Sequence, residues 1–222
     1  MKTALITGTS SGLGECLALT LLKSGWKVIG LSRRENKQLI CFDNFSQIQL
    51  DISDKNKVVD SLSSLGKIDC VINNAASFKL DTFENTSFDE IENIISTNVL
   101  GSMFVTKASL GLLNEDSKII FINSVAGLNE FESQSVYCAS KHALTAFSSI
   151  LSKELKSRRI KTVSIHPGGI DTPLWDETPY PLGNSNKALN TNHIADLLLF
   201  ILNSPNYIEY KTITMFPEIE NH

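Results

Sequence analysis

Short, uninterrupted apolar runs alternate along this chain with longer stretches whose apolar residues recur at helical spacing. The short runs predict strands at residues 3–6, 27–31, 48–50, 69–72, 118–123, 162–166 and 212–216. They lack the polar alternation of a half-solvated sheet, as parallel strands buried on both faces do. Helices are predicted over residues 12–23, 55–65, 88–113, 135–156 and 192–202. Ser87 and Glu90 have capping-box spacing and fix one helix start. Strand, helix, strand in regular succession describes βαβ units, hence an α/β, doubly wound, mostly parallel sheet with helices on both faces. The least regular stretch is 172–190, with Pro173, Pro179, Pro181, Gly183 and several asparagines, and it reads as a long loop.

Length and composition narrow the picture. The 222 residues with 42% apolar content suit one domain, residues 1–222, rather than two. Twenty basic against 24 acidic residues leave a net charge of -4 without a single-sign block, which argues against nucleic acid or anionic lipid as a partner. No run reaches the roughly 18 to 20 apolar residues of a membrane span, and the opening MKTALITG enters a strand without a secretory leader. A cytoplasmic protein is therefore expected. Cys16, Cys41, Cys70 and Cys138 form no CxxC pair and no metal-like spacing with the histidines, so they are expected to be reduced packing thiols, with no metal site.

The first strand runs into Thr7-Gly8-Thr9-Ser10-Ser11-Gly12-Leu13-Gly14, which opens the first helix. Glycine serves where backbone turns at positive φ or approaches a ligand closely, and the N–H groups of the following helix then face a pyrophosphate. The alternative is an ordinary tight turn. Tyr137 and Lys141, four apart on a predicted helix, share a face. Tyrosine ordinarily titrates at about 10, so acid–base work at neutral pH asks the site for roughly 3 to 4 kcal/mol, which a nearby ammonium would supply. Taken alone, that spacing also occurs on any surface helix. Ser124 follows an apolar strand, where strand ends meet the ligand crevice. Asn98 is a polar residue among Ile94, Ile95, Val99 and Leu100 and needs a partner, which could be no more than a backbone group or a water.

The TGxxxGxG turn, with Asn98, Ser124 and Tyr137-Cys138-Ala139-Ser140-Lys141 in that order, resembles the short-chain dehydrogenase/reductase family. The resemblance runs from about residue 2 to 172. It implies a seven-stranded sheet of order 3-2-1-4-5-6-7 and a nicotinamide-dependent oxidoreductase acting on the carbonyl or alcohol of a small molecule. Tyr137 would then exchange the proton at the substrate oxygen, Ser124 would polarise that oxygen, Lys141 would lower the tyrosine pKa and hold the nicotinamide ribose, and Asn98 would order a relay water. Cofactor contacts carried over by the same resemblance are Gly8, Ser10, Ser11, Gly12, Leu13, Gly14, Asn74, Ala75, Ala76, Tyr137 and Lys141. Asp51 and Ile52 match the adenine positions, and Pro167, Gly168, Ile170 and Thr172 the nicotinamide side. Ala76 stands where the family usually has glycine, and the tail lacks the DGG-like ending many members carry.

The second strand ends Leu31-Ser32-Arg33-Arg34 with no carboxylate at its end, and by the same resemblance Ser32 falls at the position that discriminates between the cofactors. An acidic group at that end would suit the NAD ribose, whereas Arg33 offers a guanidinium fork to a 2′-phosphate. NADP(H) is therefore expected over NAD(H), with Glu35 keeping the latter open. Leu174, Trp175 and Tyr180 in the loop are expected to cover substrate, or else to pack against the domain or a neighbouring subunit. His166 is expected to be structural. Family members commonly form homodimers or homotetramers through the long helices, and the same is expected here. The alternative to an enzyme is a catalytically silent, cofactor-binding regulatory or scaffold protein of the same fold.

Overall fold

The apolar runs form the strands of a single sheet. In this computed structural model, which describes residues 1–175 and 188–217, the order is β1 (Thr3–Thr7), α1 (Gly12–Lys23), β2 (Lys27–Ser32), β3 (Phe45–Gln49), α2 (Lys55–Ser63) and β4 (Ile68–Asn73). There follow α3 (Phe88–Ile95), a π-helical segment (Ser96–Gly101), α4 (Ser102–Ser109), β5 (Leu113–Ile122), α5 (Ser135–Glu154), β6 (Lys161–Pro167), α6 (Thr191–Asn203) and β7 (Thr212–Met215). The strands lie in the order β3-β2-β1-β4-β5-β6-β7, and every neighbouring pair is parallel.

Burial follows the two-residue period of a strand. Ala4 and Ile6 enter the core under α1 and α6 with Leu17, Leu21, Ile120 and Leu198, while Leu5 enters the opposite core with Val58, Val71, Val105, Phe121 and Leu144. Each fully buried aliphatic side chain contributes about 1.5–3 kcal/mol of transfer free energy, so both faces are anchored. The direction of winding reverses at β1, which lies between β2 and β4, and the carboxyl ends of these strands leave a crevice there.

The capping box is present: the Ser87 hydroxyl accepts from the Glu90 N–H, and the Glu90 carboxylate accepts from the Ser87 N–H. The helix expected over 88–113 is not continuous. It passes through the π segment, tightens to a 3₁₀ turn at Leu110–Leu112, and gives way to β5 at Leu113. β5 thus begins five residues earlier than the apolar run suggests. Its pairing with β4 jumps from Ile68↔Leu113 to Cys70↔Lys118, and Asp116 within the irregularity has φ of 65°. Cys70 and Cys138 are buried and pack in cores, and Cys16 is half-buried, but Cys41 is exposed and is no packing thiol. Among the described residues no helix is long and apolar enough to cross a membrane.

Candidate active site

The crevice is a cleft of about 800 Å³, within the size range of a small-molecule or cofactor pocket. The glycine turn forms one end. Gly8 and Gly12 hold φ of 77° and 60°, and a Cβ on Gly14 would overlap the Gly8 carbonyl oxygen. Asn74 and Ala75, just past β4, clamp the turn: both N–H groups donate to Thr7 Oγ1 at 2.9 Å, and Asn74 Nδ2 donates to the Thr7 carbonyl at 2.9 Å. Ser11 is the N-cap of α1, yet its side chain makes no capping bond, so the first-turn N–H groups are left to a ligand.

A second brace was not visible in the sequence. The buried Asn36 donates Nδ2 to the Thr9 and Ser10 carbonyls at 3.1 and 3.3 Å, and its N–H donates to Gln47 Oε1. Gln47 Nε2 also donates to Ser32 Oγ and the Arg34 carbonyl, and Gln49 Nε2 donates to the Arg33 carbonyl. The glutamines of β3 therefore fix the path of the Ser32–Arg34 segment, and Ser32's hydroxyl is spent on it. Arg33 is 72% exposed beside Asp51, Nη1 to Oδ2 at 3.9 Å. All nineteen residues expected to contact cofactor line this one cleft, from Gly8 and Ser10–Gly14 to Pro167, Gly168, Ile170 and Thr172. A backbone cradle that no Cβ can enter, beside an uncapped helix start, fits a dinucleotide pyrophosphate.

Ser124, Tyr137 and Lys141 lie at the other end of the same cleft. Ser124, one residue beyond Asn123 at the end of β5, caps a short turn: its Oγ accepts from Ala126 N–H at 3.1 Å. Tyr137 is buried, with the Phe78 ring edge-on at 4.7 Å between centroids. Burial pushes its hydroxyl up to about 12, opposed by the hydrogen bond with Ser124. Lys141 is also buried, and burial pushes its amine down to about 8. Its Nζ donates to the Ile122 carbonyl at 3.2 Å and lies 5.5 Å from the Tyr137 ring centroid. In this arrangement burial is the largest influence on the Tyr137 hydroxyl and outweighs any neighbouring charge. Desolvation governs both groups, and the phenol stays neutral at physiological pH.

Asn98 does not line the cleft. It is fully buried within the π segment, accepts from Ser77 N–H at 2.7 Å, and donates to the Ser77 carbonyl at 2.9 Å and Ser140 Oγ at 3.0 Å. It thus ties the segment after β4 to the helix that carries Tyr137. Leu174 lines the mouth; the Trp175 side chain and Tyr180 lie outside the described residues. Phe78, Phe131 and Gln134 line the wall around Tyr137 and were not expected. Phe78 follows the Asn73–Ala76 run at a strand end, and that position was a signal to consider it.

A parallel sheet with a glycine-cradled crevice and a buried tyrosine, serine and lysine at its far end defines a Rossmann-type oxidoreductase. Residues 2–181 match the family model for short chain dehydrogenase, and the chain belongs to that family. Among curated relatives, an uncharacterized oxidoreductase of Staphylococcus aureus is 30% identical and one of Staphylococcus epidermidis 29%, each alignment covering 97% of both chains. Serine dehydrogenase complexed with NADP+ superposes with a TM-score of 0.91 at 25% identity, covering 99% of this chain and 96% of that one. An alcohol dehydrogenase from the archaeon Thermococcus sibiricus, complexed with 5-hydroxy-NADP, superposes at 0.90 with 22% identity, covering 100% and 99%, and shares the fold.

Proposed function

We propose that the protein is an NADP(H)-dependent oxidoreductase that interconverts a carbonyl and an alcohol on a small molecule. The observation that carries the reading is the buried Tyr137, with Ser124 and Lys141 beside it, in the same cleft as the glycine cradle. The nicotinamide supplies or accepts hydride when bound. A phenol held neutral by burial is ready to give its proton to a substrate oxygen in the reductive direction. Ser124 donates to the same oxygen and orients it. The Lys141 ammonium stabilises the phenolate as it forms, in a place where low dielectric strengthens the attraction. Asn98 has spent both side-chain N–H bonds and keeps one Oδ1 lone pair for a relay water.

The preference for NADP(H) is supported by the exposed Arg33 guanidinium, the absence of a carboxylate at the end of β2, and NADP in serine dehydrogenase. Self-association through the helices that hold Asn98 and Tyr137 accords with exposed Leu100 in the π segment and Ile150 on α5. The test is oxidation of NADPH and NADH against aldehydes, ketones, diketones and keto-sugars, with Tyr137→Phe as control. Turnover lost in the variant while cofactor still binds supports the reading. Tight cofactor binding without turnover across the panel would favour the silent scaffold, and binding of neither cofactor would overturn both.

A further inference from the structure

β5 and β6 are laced together by backbone bonds up to Asn123, whose N–H donates to the Ile165 carbonyl at 2.8 Å. The next rung of a parallel ladder would need an N–H from Pro167, which has none. The catalytic serine therefore stands one residue beyond the point where the sheet itself can hold it. His166, fully buried on β6, bridges that gap: its Nδ1 lies 2.9 Å from the Ser124 carbonyl oxygen, and its Nε2 lies 2.8 Å from Ser164 Oγ.

The chemistry of the partners fixes the direction of each bond. A carbonyl oxygen only accepts, so Nδ1 carries the hydrogen and Nε2 accepts from the Ser164 hydroxyl. Ser164 Oγ in turn accepts from Asn123 Nδ2 at 3.4 Å. The relay runs one way, from Asn123 through Ser164 and His166 to the Ser124 peptide. Within its own turn the Ser124 carbonyl accepts only from Gly127 N–H, at 2.9 Å, and the imidazole supplies its tie to β6. Pro167 and Gly168, the next residues on β6, line the cleft. One side chain thus couples the strand end that carries the serine to the strand end on the nicotinamide side.

We propose that His166 is a positioning residue that aims Ser124 at the substrate oxygen. The proposal rests on the reading of Ser124 as the group that polarises that oxygen. Replacement at one end of the ring separates this role from simple packing. In His166→Asn the amide nitrogen takes the place of Nδ1 and still donates to Ser124. In His166→Gln the amide reaches toward Ser164 and leaves the Ser124 carbonyl with Gly127 N–H but without its tie to β6, and His166→Leu fills space with neither bond.

The experiment measures kcat, KM, NADPH affinity and thermal midpoint for the three variants with a substrate that the wild-type protein turns over. The expected result is a fall in kcat of about 10- to 100-fold in the Gln and Leu variants, the scale of a catalytic group displaced by about 1 Å. NADPH affinity stays within about twofold, and Asn recovers most of the lost kcat. Unchanged kcat in the Gln and Leu variants, or losses that follow thermal stability with no rescue by Asn, would overturn the proposal while leaving the reaction itself standing. A wild-type protein with no turnover would instead overturn the functional reading and this inference with it. If the variants fail to fold, nitrogen NMR of the wild-type imidazole decides: hydrogen on Nδ1 supports the relay, and hydrogen on Nε2 alone overturns it.

Discussion

The two ends of the cleft are built on opposite principles. At the cofactor end the working groups are main-chain N–H and C=O, placed by glycine turns and held by side chains such as Thr7, Asn36 and Asn74 that need touch no ligand. At the proposed catalytic end the groups are side chains, and burial lifts the Tyr137 hydroxyl and depresses the Lys141 amine. Binding can thus be a property of backbone shape, whereas proton transfer requires titratable groups kept out of water. Damage to one end should therefore look different from damage to the other.

The largest expected effect is at the catalytic end. Tyr137→Phe should cost about 10²- to 10⁴-fold in kcat, the usual contribution of a general acid, with NADPH affinity unchanged. Joint loss of both would break the separation. Lys141→Met should also depress kcat, yet stabilise the fold. The buried amine falls from 10.5 to about 8, a cost of roughly 3 kcal/mol at neutral pH. Between pH 8 and 10.5 the unfolded chain binds more protons than the native one, so wild-type stability rises with pH through that window. The advantage of Lys141→Met in thermal unfolding should be largest below pH 8 and shrink toward pH 10.5. A variant less stable than wild type at pH 7 would show that burying this amine carries no net penalty.

At the cofactor end, Gly14→Ala forces a methyl into the Gly8 carbonyl. Such overpacking costs on the order of 1–3 kcal/mol, or about 10- to 100-fold in the Kd for NADPH by fluorescence titration. Unchanged affinity would sink the claim that backbone approach does the binding. The smallest effect sharpens the comparison rather than testing it. Arg33→Ala should weaken NADPH by about 5- to 10-fold and leave NADH alone, because an exposed guanidinium contributes modestly. Equal losses for both cofactors would remove the argument from the 2′-phosphate.

The same division governs what the sequence reveals. Glycines and strand ends announce themselves by local pattern, and the Tyr137–Lys141 spacing gains its meaning from its order after the glycine turn, Asn98 and Ser124. Asn36, Gln47 and Gln49 stay hidden, since each works through a partner distant in the chain and nothing local distinguishes it from a surface amide. The start of β5 is hidden for another reason: Asn114–Ser117 are polar, and only tertiary pairing with β4 draws Leu113 into the sheet. The direction of the Tyr137 pKa could not be read either, because spacing shows that an ammonium is near but not how thoroughly water is excluded.

The π segment at Ser96–Gly101 has a consequence for how this chain can vary in length. In an α-helix each residue advances the face by about 100°, so a wider turn resets the phase of everything after it. Here α3 meets α5 before the reset, and α4 meets β4 and α2 after it. Removing any one residue from 96–101 would restore uniform periodicity and rotate Val105 and Thr106 away from the sheet. Within the segment Asn98 and Gly101, the latter pressed against Ile52, are tied to their places. Its exposed Leu100 can change in kind, but the segment cannot change in number, which makes this stretch a fixed-length spacer.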